Sequence, residues 1–159
     1  MIINLISAVS RNGVIGKDLD IPWKANGEQL LFKALTYNQW VIVGRRTFES
    51  MGILPNRKYM VITHNPEQIP HDDMVYCCTS IDGALKFLED KTDQVFICGG
   101  GILYSQTIYK AHFIHKSVID IDVEGDITFP PIPSNFELIY SQNFISNINY
   151  EYQIWNRII

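Results

Sequence analysis

The sequence predicts an α/β fold: a mixed, mostly parallel central sheet with helices on both faces and a C-terminal antiparallel hairpin. Apolar, β-branched runs alternate with helical patterns through the first two thirds of the chain, which is the signature of parallel strands joined by crossover helices. From about Phe113 the pattern changes to strict alternation, as in an antiparallel sheet with one solvated face. The length of 159 residues suits one hydrophobic core, so residues 1–159 are expected to form a single domain.

The elements follow in order. Residues 2–9 are apolar and β-branched, without the basic start or the ~20-residue span of an export signal or membrane anchor, so they form a buried first strand. Asn26, with Gln29 three residues on, offers a capping box for a first helix whose Leu31, Phe32 and Leu35 recur at helical spacing. Strands are expected at residues 40–43, 59–63, 74–77 and 94–98. Between them a second helix opens at Arg45 after Gly44, and a third follows Thr79 and Ser80 with Ala84, Leu85 and Leu88 on one face. A fourth follows Gly99-Gly100-Gly101, beginning near Ile102. Residues 113–123 alternate as one strand, Gly125-Asp126 makes a turn, and Phe129-Pro130-Pro131-Ile132-Pro133 is a rigid connection. Residues 136–144 and 150–158 close the sheet as an antiparallel pair.

The formal net charge of -4 leaves no excess of Lys and Arg to neutralise nucleic acid or an anionic membrane, so any phosphate site must be local. Cys77, Cys78 and Cys98 are odd in number and lack CxxC spacing, which fits a reducing, cytoplasmic compartment. The four histidines show no ligand spacing beyond His112 and His115, and no metal site is expected.

Four features bear on chemistry. Glu28 precedes Leu31, Phe32 and Leu35 by three, four and seven residues and so shares their apolar helical face. An ionised acid there caps a backbone, pairs with a cation, waits for a ligand with N–H donors, or simply favours the dipole of the first helical turn. Arg45-Arg46-Thr47 opens a helix directly after a strand, which is either a phosphate-binding arrangement or a solvated basic helix start. The glycine run lets backbone approach a pyrophosphate, or is a plain tight turn; Tyr104 stands where the last glycine of GxGxxG would be. Trp23 suits ordinary core, and Asp120, Asp122, Glu124 and Asp126 suit the solvated face of a strand.

Taken together these residues resemble dihydrofolate reductase over essentially the whole chain. The matching elements occur in the family's order: Ala8, Asn12-Gly13-Val14-Ile15-Gly16, Ile21-Pro22-Trp23, Glu28 with Phe32, and Val43-Gly44-Arg45-Arg46-Thr47-Phe48-Glu49-Ser50. They continue through Leu54-Pro55-Asn56-Arg57-Lys58, Cys98-Gly99-Gly100-Gly101 with Tyr104, Ile119-Asp120 and Glu124-Gly125-Asp126. The resemblance implies reduction of dihydrofolate with hydride from NADPH. Glu28 would accept hydrogen bonds from the pterin, Ser117 would steady that carboxylate through a water, and Trp23 would hold a second water and keep the site dry. Ile6, Ala8, Phe32, Ile53, Leu54 and Cys98 would line the substrate pocket, and Arg57 would grip the substrate's glutamate carboxylate.

For NADPH the resemblance implies Ala8, Ile15, Gly16, Gly44, Arg45, Arg46, Thr47, Thr63, His64, Cys98, the glycines Gly99, Gly100 and Gly101, Ile102, Leu103 and Tyr104. It also implies a cis peptide between Gly99 and Gly100, and an active-site loop over residues 12–23 held closed by Asp126 and by Asn149. Partners would be dihydrofolate and antifolate inhibitors, with the enzyme a monomer. Three positions depart from the common pattern: Glu28 replaces the usual bacterial Asp, Gln29 a common Leu, and Ile102 a base that often helps bind the 2'-phosphate. The stretches around Glu28 and Asn149 look most like mobile-element bacterial reductases associated with trimethoprim insensitivity. A pyrimidine reductase of the riboflavin pathway should lack the Pro22-Trp23 and Glu28 constellation, and a silent nucleotide-binding domain of the same fold would not need an acid on an apolar face.

Overall fold

The computed structural model describes residues 1–16 and 23–158. Residues 17–22, which include the Ile21-Pro22 pair and much of the expected active-site loop, lie outside the described residues. The chain runs β1 (Ile2–Ser10), β2 (Val14–Gly16), α1 (Glu28–Thr36), β3 (Trp40–Gly44), α2 (Arg45–Met51), β4 (Lys58–Ile62), β5 (Val75–Cys78), α3 (Ile81–Leu88), β6 (Gln94–Ile97) and α4 (Gly101–Thr107). It finishes with β7 (Phe113–Ile119), β8 (Ile127–Thr128), β9 (Phe136–Phe144) and β10 (Tyr150–Arg157). Eight strands form one sheet in the order β5-β4-β3-β6-β1-β7-β10-β9. The strands from β5 to β7 are parallel, and β10 is antiparallel to both β7 and β9.

Alternation along the buried strands divides the core into two layers. Ile3, Leu5, Ile42, Met60 and Ile97 face α3 and α4, meeting Ala84, Leu88, Leu103 and Ile108. Ile6, Val41, Val43, Tyr59 and Val61 face the other way, against Phe48 of α2 and Phe32 and Leu35 of α1. The adjacent thiols Cys77 and Cys78 fall on opposite layers for the same reason, and all three cysteines are free. Ser80 caps α3 through the amide of Gly83 at 3.0 Å. No described helix is long and apolar enough to cross a membrane.

The structure differs from the sequence expectation in three places. Helix α1 has no capping box: its N-cap is Gly27, with φ 95 and no side-chain cap bond, while the Asn26 amide donates to Asn147 Oδ1 at 2.8 Å. Strand β7 stops at Ile119 rather than at residue 123, because its neighbours end there too: Ser10 of β1 and Tyr150 of β10 both pair with Ile119. Beyond that point the regular ladder gives way to single bonds, from the Asp120 amide to the Asn149 carbonyl at 2.8 Å and from the Arg11 amide to the Ile121 carbonyl at 3.0 Å, while the Asp120 and Asp122 side chains pair with Arg11 at 3.0 and 3.4 Å. Finally, Val14–Gly16 and Ile127–Thr128 form a two-stranded ribbon too short to leave a periodic signal.

Leu88 is fully buried at the end of α3, a helix on which the sequence places no candidate site residue. Leu88→Ala is therefore expected to lower unfolding free energy by about 2–5 kcal/mol, read by chemical denaturation, with ligand affinities of the folded protein retained. A loss below ~1 kcal/mol would show that the site collapses around the truncation.

Candidate active site

Parallel strands end in loops on one edge of the sheet, and ligands of open α/β sheets bind in the crevice outside those ends. Here a groove of about 1880 Å³ runs from Ala8 of β1 and the β6–α4 turn across Gly44 to Ile62 of β4, with α1 forming one wall. That volume accommodates more than one ligand of ordinary size.

Glu28 lies in the first turn of α1 and lines the groove beside Trp23, Phe32 and Leu54. Burial raises its carboxyl above the ordinary value, since desolvation penalises the charged form. It makes no backbone cap, and among the described residues no cation or hydrogen-bond donor meets it. Two of the four alternatives thus fall away, and Glu28 remains as a first-turn acid favoured by the helix dipole and as a half-buried acceptor facing the groove.

Trp23 is half-buried and packs on a small cluster with Ala25, Ile119 and Tyr150. Ser117 is buried on β7, paired in register with Ala8 and Tyr152, and does not wall the groove; no direct hydrogen bond joins it to Glu28. Ile6, Ala8 and Cys98 form the floor, where burial drives the Cys98 thiol far above its usual range and leaves it a neutral apolar contact. Tyr104, also buried, donates from its hydroxyl to the Ile6 carbonyl at 2.6 Å and ties α4 to β1. Ile53 is 43% exposed and stands outside the groove lining.

Arg57 is 5% exposed, yet no acid pairs with it among the described residues. Its Nε donates to Thr36 Oγ1 at 3.2 Å, Nη1 to the Pro55 carbonyl at 2.5 Å, and Nη2 to the Lys33 carbonyl. A guanidinium has five N–H donors, so one remains on each terminal nitrogen, the pair a carboxylate takes bidentately.

At the opposite end, Gly44, Arg45, Arg46, Thr47, His64 and the run from Gly99 to Tyr104 line the groove, with Ile15 above. The Gly99–Gly100 peptide is cis, and the Gly44 amide donates to the Gly99 carbonyl at 2.8 Å. A Cβ on Gly100 would lie 3.2 Å from Thr47 Oγ1, and one on Gly101 2.8 Å from Ile127, so bare backbone lines this narrow passage. Such a cradle, with Arg46 exposed and unpaired among the described residues, fits a pyrophosphate-containing dinucleotide. Arg45 is engaged by Glu49 at 2.9 Å, and Ile102 is 77% exposed. Thr63 is buried, its hydroxyl accepting from the Asn65 amide at 3.0 Å, and neither it nor Gly16 walls the groove.

Asp126 lines the groove next to the β2–β8 ribbon. Asn149 Oδ1 accepts from the Ser146 amide at 3.0 Å inside its own turn, and the part of the loop it is expected to hold, residues 17–22, lies outside the described residues. Asn147 reaches the segment before α1, donating to the Lys24 carbonyl at 2.7 Å, and Ser146 Oγ donates to the Asn26 carbonyl at 2.8 Å. Those contacts span about 120 residues of sequence and leave no local pattern. Sequence reasoning also missed Tyr150, and the Lys110–Asp82 pair at 2.5 Å across the groove's far wall.

The family model described as Dihydrofolate reductase matches residues 2–157. The chain is 55% identical over 157 residues to dihydrofolate reductase type 15 of Escherichia coli, covering 99% of each chain. It is 54% identical over 157 residues to dihydrofolate reductase type 1 of Escherichia coli, again covering 99% of each. Among solved structures, dihydrofolate reductase from Enterococcus faecalis complexed with NADP(H) and RAB-propyl superposes with a TM-score of 0.89 at 27% identity, covering 98% of this chain and 96% of that one.

The raised carboxyl of Glu28 has a consequence for stability. Below the ordinary glutamate value of 4.5 the acid is protonated folded or unfolded; as pH rises past it, the unfolded chain ionises first and stability falls. Glu28→Gln is expected to melt above the wild type at neutral pH, with the gap closing below the ordinary glutamate value. Thermal melts of both proteins across that range measure it, and a wild type more stable at neutral pH would reveal a counter-charge for Glu28.

Proposed function

The chain belongs to the dihydrofolate reductase family, and from that premise we propose that it reduces 7,8-dihydrofolate to 5,6,7,8-tetrahydrofolate with NADPH and that its Glu28 makes it insensitive to trimethoprim. The observation that carries the reading is Glu28: a half-buried acceptor on the groove, unpaired among the described residues, suited to a ring presenting an amino group and an N–H. When bound, NADPH supplies the hydride. The rest of the task falls to the chain's own residues.

Glu28 holds the pterin in plane, with Ser117 steadying it through water. Ile6, Ala8, Phe32, Leu54 and Cys98 exclude solvent around the ring, and Trp23 retains one ordered water, so the proton for the pteridine nitrogen comes from solvent. Arg57 takes the glutamate carboxylate with its two remaining N–H donors. These roles amount to positioning, which suffices where the cofactor carries the chemistry. Gly44, Thr47 and the glycine run hold the pyrophosphate, while Arg45 and Arg46 meet the 2'-phosphate. Asp126 and Asn149 serve loop closure, and Asn147 holds the residues between the loop and α1. In this reading the enzyme acts as a one-domain monomer in the cytoplasm, and its partners are dihydrofolate and antifolates.

Following NADPH oxidation by absorbance, with dihydrofolate present or absent and with trimethoprim added, tests the whole reading. No dihydrofolate-dependent oxidation would end it. Arg45→Ala is expected to weaken NADPH roughly ten-fold, one charge-assisted bond of ~1.5–3 kcal/mol, and NADH far less. Equal losses would make Arg45 structural, held by Glu49 alone. Glu reaches further than Asp by one C–C bond, ~1.5 Å, which pushes a rigid diaminopyrimidine outward against the wall near Leu54. Glu28→Asp is accordingly expected to tighten trimethoprim inhibition while turnover survives. Glu28→Gln should cripple turnover, because an amide donor would face the pterin's own donors. Inhibition constants identical in wild type and Glu28→Asp would remove Glu28 as the source of insensitivity.

A further inference from the structure

The start of α1 is built against the closing hairpin in a way the assigned roles do not use. Gly27 has φ 95, a left-handed conformation, where an N-cap residue is ordinarily extended. A Cβ on it would stand 2.7 Å from the Tyr150 phenolic oxygen, so only a glycine lets that oxygen come so close. Tyr150 has little freedom to yield: it is 5% exposed, stacks on Phe144 at 5.0 Å, and is fixed in register opposite both Ile119 and Phe144. Lys24 and Asn26, just before Gly27, are tied to the same hairpin by Ser146 and Asn147. Glu28 is the next residue along, and its charge adds to burial in raising the Tyr150 phenol.

Resting on the reading that Glu28 orients the ligand, we propose that Tyr150 and Gly27 are specificity-determining positions, the phenol acting as a stop that sets how far the Glu28 carboxylate reaches into the groove. Neither residue is a catalytic group. They act through α1, by the backbone contact at its N-cap. Rigid ring systems that pair with the carboxylate feel this depth directly, whereas ligands with other ring orientations adjust. Removing the hydroxyl lets the helix start settle toward β10 and withdraws the carboxylate. Adding a methyl at Gly27 drives the helix start away from β10 and pushes the carboxylate inward.

The test uses the full chain with Tyr150→Phe, Gly27→Ala and the double variant. Dissociation constants for trimethoprim and methotrexate are read by tryptophan fluorescence, and KM and kcat for dihydrofolate by NADPH oxidation. Tyr150→Phe should bind trimethoprim roughly ten-fold tighter, the scale of a methylene-sized misfit relieved, with a smaller change for methotrexate. Gly27→Ala should raise the dihydrofolate KM more than it lowers kcat, and the Tyr150→Phe background should recover much of that loss, leaving the strain of a left-handed alanine. An unchanged ratio of the two antifolate constants in Tyr150→Phe overturns the proposal, as does an equal Gly27→Ala penalty in both backgrounds. Should Gly27→Ala fail to fold, the Tyr150→Phe ratio decides alone. That ratio is read without turnover, so a wild type that does not reduce dihydrofolate would count against the proposed activity and leave this result separately legible.

Discussion

Everything in the molecule is hung on β1. Its first residues pair with β6 and Asn4 through Ser10 pair with β7, so the strand is hydrogen-bonded along both edges and buried on both faces. Backbone groups buried this way must be satisfied by neighbouring strands, and parallel neighbours bring their carboxyl ends to a common edge. That constraint puts Ala8, Gly44, Ile62 and Cys98 along one groove although they are spread over most of the chain. Tyr104 adds a side-chain tie from α4 to the Ile6 carbonyl on the same strand. A fold without that central ladder would have no groove to place the charges in.

Two charges without an ionic partner stand out, Glu28 on the groove and Arg57 outside its lining. Glu28 and Arg57 are both withdrawn from water, and neither has an ionic partner among the described residues. Unpaired buried charges are unfavourable for folding, which is why they cluster where a ligand completes them. In the reading proposed above, this acceptor on α1 and this donor fork on the turn before β4 would meet a molecule with N–H donors at one end and a carboxylate at the other. Dihydrofolate has that form. At the end of the groove near the glycine run the balance is different, since Arg45 and Lys110 already carry Glu49 and Asp82. These exposed pairs are weak, and a phosphate dianion competes with them readily.

The hairpin of β9 and β10 links these parts. It closes the sheet, and through Ser146, Asn147 and Tyr150 it holds the segment that delivers Glu28. The start of the helix that carries Glu28 is thus tied to the last strand as well as to its own turn.

Much of this was legible in the sequence, for identifiable reasons. Period-two and period-3.6 patterns report burial of one face, so they located the eight strands of the main sheet, helices α1 and α3 and the change to antiparallel pairing near Phe113, while the glycines before them marked α2 and α4. The apolar face of α1 singled out Glu28, and family resemblance drew Arg57 and the glycine run beside it. The tertiary structure alone decided the rest. Strand β7 ends at Ile119 because its two partners end there, which alternation beyond that point conceals. Gly27, rather than Asn26, caps α1, and Ser146 and Asn147 clasp the residues before it, because those contacts depend on a hairpin 120 residues away. Local sequence encodes which face of an element turns inward; it does not encode what distant segment that face will meet.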